Sequence, residues 1–249
     1  MLFRSKGTVI MASLTVQVAA NDEDGYILFG DDQTGFYGNT TTFSHNAKVR
    51  IGRDNSSGQT NDSYFGWIHL KNLTIAQGAT IDSAKLFVYH HANAGFDGGS
   101  DPGEGMTVQA EDVDDASKPG NYSTVNGWTL TSASATVSSF IDASYGGMGP
   151  NETWNNAWYP THADPSAGLE IKTVLQELVN RSGWSSGSNI NLKLTPSAHN
   201  GSSNWTIDWK DRDTSSSLAP KLVITYTESG GGDDDDDTTT AAAFYLFVD

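Results

Sequence analysis

The chain has 249 residues, 26 glycines, no cysteine and a formal charge of −16. The missing thiols exclude a disulfide framework and thiolate metal sites, and the acid excess argues against nucleic acid, whose phosphates call for Lys and Arg. The length supports one large β domain burying ~70 % of its unfolded surface without a staple, and no apolar run is long enough for a membrane-spanning helix.

Near the start, Arg4 and Lys6 precede a moderately apolar run ending in Val18-Ala19-Ala20, a faint imitation of a signal peptide. Ser13, Thr15 and Gln17 interrupt that run, and Leu14, Val16 and Val18 alternate with them as one face of a strand. Met11 reads as the start of the domain, with residues 1–10 as an extension. A short apolar run, Tyr26 to Phe29, follows in an acidic, turn-rich setting. Lys48 to Arg53 reads as a strand with Val49 and Ile51 on one face, and residues 54–62 as a turn.

Ser63 to Ala92 reads as strand, loop, strand. In the first arm Tyr64, Gly66, Ile68 and Leu70 alternate with Phe65, Trp67, His69 and Lys71. In the second, Ala84, Leu86, Val88 and His90 alternate with Lys85, Phe87, Tyr89 and His91, and Gly78 suits the tight connector. Large groups on both faces predict one face in the core and the other partly covered. Ile68, Leu70, Leu86 and Val88 are the expected centre of that core.

Residues 91–105 read as a surface loop, Met106, Val108 and Ala110 as the inward side of a strand, and residues 114–126 as a polar connection. Residues 128–140 alternate weakly, and 142–165 form a long irregular stretch; such lengths without regular structure often carry function. Ile171, Val174, Leu175, Leu178 and Val179 recur at helical spacing, with Gly183 placed to end a short helix that caps the sandwich. Ile190–Leu194, Asn204–Trp209 and Lys221–Tyr226 complete the strands. Residues 228–240 are Gly, Asp and Thr, an extended self-repelling linker. After it, AAAFYLFVD (241–249) sets Phe244, Leu246 and Val248 on one side of a strand and Tyr245 and Phe247 on the other. So apolar a segment needs a partner to stay soluble.

Several stretches together resemble the DNRLRE-type β-sandwich family. They are MASLTVQVAANDEDGY near the start, RIGR at 50–53, YFGWIHLKNLTIAQGATIDSAKLFVY at 64–89, VQAEDVDDAS at 108–117, IKTVLQELVNRSGWSSGSNINLKL at 171–194 and APKLVITY at 219–226. Lys210-Asp211-Arg212-Asp213 stands loosely where the family's eponymous polar motif precedes the last strand. The resemblance covers about residues 11–227. It implies an all-β fold, a jelly-roll β-sandwich with one short capping helix, in a class that includes carbohydrate-binding modules and phage and bacterial surface proteins. It implies no catalytic machinery.

The candidate functional residues fall into groups. His69 could meet His90 or His91 across a strand pair as metal ligands, although ordinary histidines explain them as well. Glu111, Asp112, Asp114 and Asp115 are dense, but consecutive acids usually mark a solvated face. A structural calcium is an alternative wherever oxygens converge; no EF-hand spacing occurs, and no metal ligand set is assigned. No nucleophile elbow, phosphate loop or zincin helix is present. Trp128, Trp154, Trp158 and Tyr159 are the candidate glycan-binding aromatics, set against the alternative that they cover the core. Nine Asn-x-Ser/Thr sequons exceed the chance number, as glycosylation or as composition alone. For assembly the candidates are Leu14, Val16, Val18, Phe244, Tyr245, Leu246, Phe247 and Val248, because strand addition takes alternating side chains and main-chain hydrogen bonds. The sequence therefore predicts a non-enzymatic structural subunit of an extracellular fibre, appendage or virion surface that self-assembles through exchanged terminal strands. The alternative is a carbohydrate-binding module with polysaccharide as partner.

Overall fold

The structure, a computed structural model, describes residues 9–29, 34–38, 48–54, 62–89, 105–137, 158–159, 169–196, 205–213 and 215–229. In chain order the elements are β1 (Val9–Gln17), β2 (Asp24–Phe29), β3 (Thr34–Gly38), β4 (Val49–Asp54), β5 (Asp62–Leu73), β6 (Thr80–Tyr89) and β7 (Met106–Ala110). Then come α1 (Tyr122–Asn126), β8 (Ala135–Val137), β9 (Trp158–Tyr159), β10 (Leu169–Glu170), α2 (Lys172–Val179), β11 (Ser188–Pro196), β12 (Trp205–Trp209) and β13 (Lys221–Ser229).

These strands form two antiparallel sheets. One runs β1-β13-β6-β10, with β9 also on β6. The other runs β12-β4-β5-β11-β7-β8, with β2 and β3 attached through β5. The fold is an all-β sandwich with a short helix, as the alternation predicts. Val16, Ala84, Leu86, Val88, Leu222 and Ile224 from the first sheet meet Val49, Ile51, Ile68, Leu70, Val108, Leu192 and Leu194 from the second in one buried cluster. Each Val, Leu or Ile buried this way contributes ~1.5–3 kcal/mol. Gly66 is required by this packing: a Cβ there would stand 2.8 Å from Val49 Cγ1.

The two arms of the 63–92 stretch do not pair with each other. β5 belongs to the eight-stranded sheet and β6 to the five-stranded one. They face one another across the core, where Ile68, Leu70, Leu86 and Val88 are all buried as expected. The chain crosses between sheets through Asn72 (φ 58°) and Gly78 (φ 73°), both in the left-handed region. Alternation reports which face is buried but not which strand lies alongside.

α2 closes one end of the sandwich with Val174, Leu175, Leu178 and Val179 buried beneath it. Gln176 pins it, donating Nε2–H to Ala79 O and accepting from Ile81 N. On its other side Glu177 accepts from the Ser132 and Ala133 backbone N–H groups. A second helix, α1, occupies part of the stretch read as a polar connection. It has only five residues, capped by Asn121, whose Oδ1 accepts from Thr124 N. One buried side chain, Val125, is too little to make a helical period visible in sequence.

Candidate functional site

β1 lies at the end of its sheet. Its inward residues are Ala12 and Leu14, partly buried against the core, and Val16, which is buried. Val18, just past the strand, is buried as well. Met11, Ser13 and Thr15 point outward, and Met11 is 77 % exposed. The side chains of Leu14, Val16 and Val18 thus serve this chain's own core, and what β1 presents outward is its backbone edge. Its other edge is bound to β13 through nine matched pairs, from Val9↔Ser229 to Gln17↔Lys221, without a register shift. Both strands reach past the sequence-drawn limits of 11 and 227.

Edge strands usually carry a device against unwanted pairing: shortness, charge, proline or a bulge. β1 has nine residues, VIMASLTVQ, with no charged side chain and no proline, and its pairing is unbroken. Its outer edge pairs with no strand among the described residues. The other outermost strands are shorter: β10 has two residues, β8 three, β12 five and β3 five.

Of the other assembly candidates, Phe244, Tyr245, Leu246, Phe247 and Val248 lie outside the described residues. So does Trp154 among the glycan candidates, while Trp158 and Tyr159 form β9, paired with Tyr89 and Val88. Trp128 is buried in a cluster with Ile27, Trp67 and Val125, flanked by Phe65, Tyr122 and Leu130. This cluster covers the outer face of β2 and β5, with α1 folded over it. Trp128 is 9 % exposed, and its indole Nε1–H has no acceptor among the described residues. Lys193, on the same outer face, lies over the Phe65 ring at 5.3 Å, and burial pushes its ammonium pKa down.

Three buried polar groups brace the eight-stranded sheet. Asp208 on β12 accepts from Arg50 Nε at 2.6 Å and from Lys48 Nζ at 2.6 Å. Burial alone would raise the Asp208 carboxyl, but the hydrogen bond and charge of Arg50, with Lys48 beside it, hold it below the usual range. The Arg50 guanidinium also lies over the Tyr64 ring, 5.1 Å from its centroid. Next, His69 Nδ1 donates to Asn191 Oδ1 at 2.7 Å, and Asn191 Nδ2 donates to Glu111 Oε2 at 2.7 Å. Burial lowers the His69 imidazole and raises the Glu111 carboxyl. His69 is therefore a neutral donor in a hydrogen-bonded row that runs from β5 through β11 to Glu111, just past the end of β7. His90 and His91 lie outside the described residues. Finally, Asp24 is fully buried near Asp211, and its carboxylate accepts from Arg212 N at 3.1 Å. Burial and then the Asp211 charge push the Asp24 carboxyl well above its ordinary value.

Of the acidic cluster, Asp112 and Asp114 pair with Arg181, and Asp115 accepts from Asn189 N. Among the described residues no three His, Asp or Glu side chains converge as a metal ligand set.

The chain matches no family model and no curated protein.

The sequence signal for β1 as a strand was plain in Leu14, Val16 and Val18, but its place at a sheet end depends on β13, some two hundred residues away. The Asp208 cluster left a partial trace: Lys48 and Arg50 share one face of a strand otherwise reading as core. Their acid partner depends on the register Arg50↔Asp208, which is a tertiary fact.

Proposed function

We propose that this protein is a non-enzymatic structural subunit of an extracellular fibre, appendage or virion surface, assembling through strand exchange. The observation that carries the reading is the β1 edge: nine residues, uncharged, unbroken and unpaired on one side among the described residues. An edge of that kind is a template for main-chain pairing with another chain. The resemblance of residues 11–227 to DNRLRE-type sandwiches agrees with a surface location. The net charge of −16 keeps free subunits apart until a specific contact forms. A carbohydrate-binding module is the alternative from the same resemblance, but Trp128 is buried and offers it no exposed platform.

Deleting residues 241–249 should leave a folded monomer that no longer assembles. Size-exclusion chromatography and negative-stain electron microscopy read the outcome, with circular dichroism as the control for folding. Unchanged assembly of the shortened chain sinks the reading.

A further inference from the structure

We propose that the outer edge of β1 is the acceptor for residues 241–249 of a second copy of this chain, so that each subunit adds a strand to the five-stranded sheet of the next. This rests on the structural-subunit reading above and names its contact.

The acceptor is argued from the edge itself. A nine-residue strand offers alternating backbone N–H and C=O groups along ~30 Å. The absence of charge, proline and bulge leaves those groups approachable. The core is also thin at this rim. Ala12 and Leu14 are only partly buried, whereas Leu222 and Ile224, one strand further in, are fully buried. A further strand beside β1 would set apolar side chains next to Ala12 and Leu14 and finish the sandwich there.

The donor is argued from its pattern and its tether. AAAFYLFVD has nine residues, as β1 does, with no Gly or Pro and a single charge at Asp249. Phe244, Leu246 and Val248 fall on one face, suited to the rim of the core, and Tyr245 and Phe247 on the other. β13 ends at Ser229, opposite Val9, so the chain leaves the sandwich beside the first residue of β1. The eleven residues 230–240 span up to ~35–40 Å when extended. Asp233 to Asp237 repel one another and favour that extension. Reaching the edge of its own β1 requires crossing only two strand spacings, ~10 Å. The tether is longer than that step needs and leaves length to reach a second copy. Donor and acceptor are different surfaces, so the contact is head-to-tail and builds a filament, or a ring if the rotation closes.

The chain has no native cysteine, which makes the test direct. Full-length Ser13→Cys and full-length Tyr245→Cys or Leu246→Cys are mixed, assembled and treated with a short bis-maleimide. The two donor variants cover both strand parities. The expected result is a mixed covalent dimer for one of the pairs, and a ladder when both cysteines are in one chain. A double variant that gives only a compact cross-linked monomer, with no mixed dimer, overturns the proposal in favour of docking on the chain's own sheet. Cross-linking of Ser13→Cys to itself alone overturns it in favour of two β1 edges pairing. A second variant guards the edge: Ser13→Lys with Thr15→Lys, both outward-facing and exposed, should abolish assembly while Tm stays within about 2 °C. Particles that persist in this variant overturn the β1 assignment yet leave the structural-subunit reading standing. No particles from the unaltered chain would remove both.

Discussion

The two sheets of the sandwich end differently. At one end of the eight-stranded sheet, β12 has five residues and is tied down by Asp208, whose carboxylate holds both Lys48 and Arg50. At its other end, β8 has three. The five-stranded sheet closes with a two-residue strand, β10, on one side, whereas on the other, among the described residues, it ends at β1 with nine residues and nothing charged. Length and charge are the usual means of keeping an edge private. One sheet uses both, and the other omits them at a single strand. Under the proposed function the difference separates two roles: β12 is fastened for stability, and β1 is left able to pair.

The largest effect should come from unfastening β12. Asp208→Ala leaves Lys48, buried beside it, without its acid, and breaking a buried pair costs ~3–5 kcal/mol. Urea denaturation should show a lower midpoint while assembly of the folded fraction persists. The same carboxylate sets a pH dependence. Its folded pKa lies below the ordinary aspartate value of 3.8, so its stabilisation is present above that value and is lost as pH falls through the folded one. Asp208→Asn should therefore flatten the acid limb of a Tm-versus-pH curve.

A smaller effect belongs to the core between the sheets. Gly66→Ala would push a methyl group to within 2.8 Å of Val49 Cγ1. Overpacking of this kind costs ~1–3 kcal/mol, measurable in the same urea titration.

Asp24 gives the opposite sign of pH dependence. Its folded pKa lies well above 3.8, so the fold favours its protonated form. Its contribution is complete below the unfolded value and is lost as pH rises through the folded one. Asp24→Asn keeps an acceptor for Arg212 N and removes that loss. The variant should melt higher than the wild type at pH 8, with the difference closing near pH 4.

Least of all should the folded monomer respond to Ser13→Lys with Thr15→Lys. Exposed outward positions typically change stability by less than ~0.5 kcal/mol. A large loss of monomer stability there would make β1 an ordinary structural strand and erase the contrast with β12.

The sequence carried the faces of the strands well. Ile68, Leu70, Leu86 and Val88 lie at the centre because a period of two leaves one face to be buried, whichever strand is the neighbour. Partnership was not legible, because the adjacent arms β5 and β6 could equally have formed a hairpin or faced each other across the core. Trp128 shows the same limit from another side. Its loop-like surroundings left both an exposed ring and a cover for the core open, and the fold buries it beside Trp67 and Val125 of α1. Asp24 and Asp211 are 187 positions apart and look like two more acids in an acidic chain until the fold brings them together. The edge of β1 follows the same logic: its composition was visible, but its having no second neighbour among the described residues was not.

The most direct measurement is backbone hydrogen exchange across Val9–Gln17, comparing the assembled full chain with the folded monomer lacking residues 241–249. In the monomer, alternate β1 amides, those facing away from β13, should exchange quickly while the others stay protected. Assembly should slow that fast set and leave the amides of β10 and β12 unchanged. Equal protection of the whole of β1 in both states, or fast exchange of the same amides in the assembled form, would contradict the account.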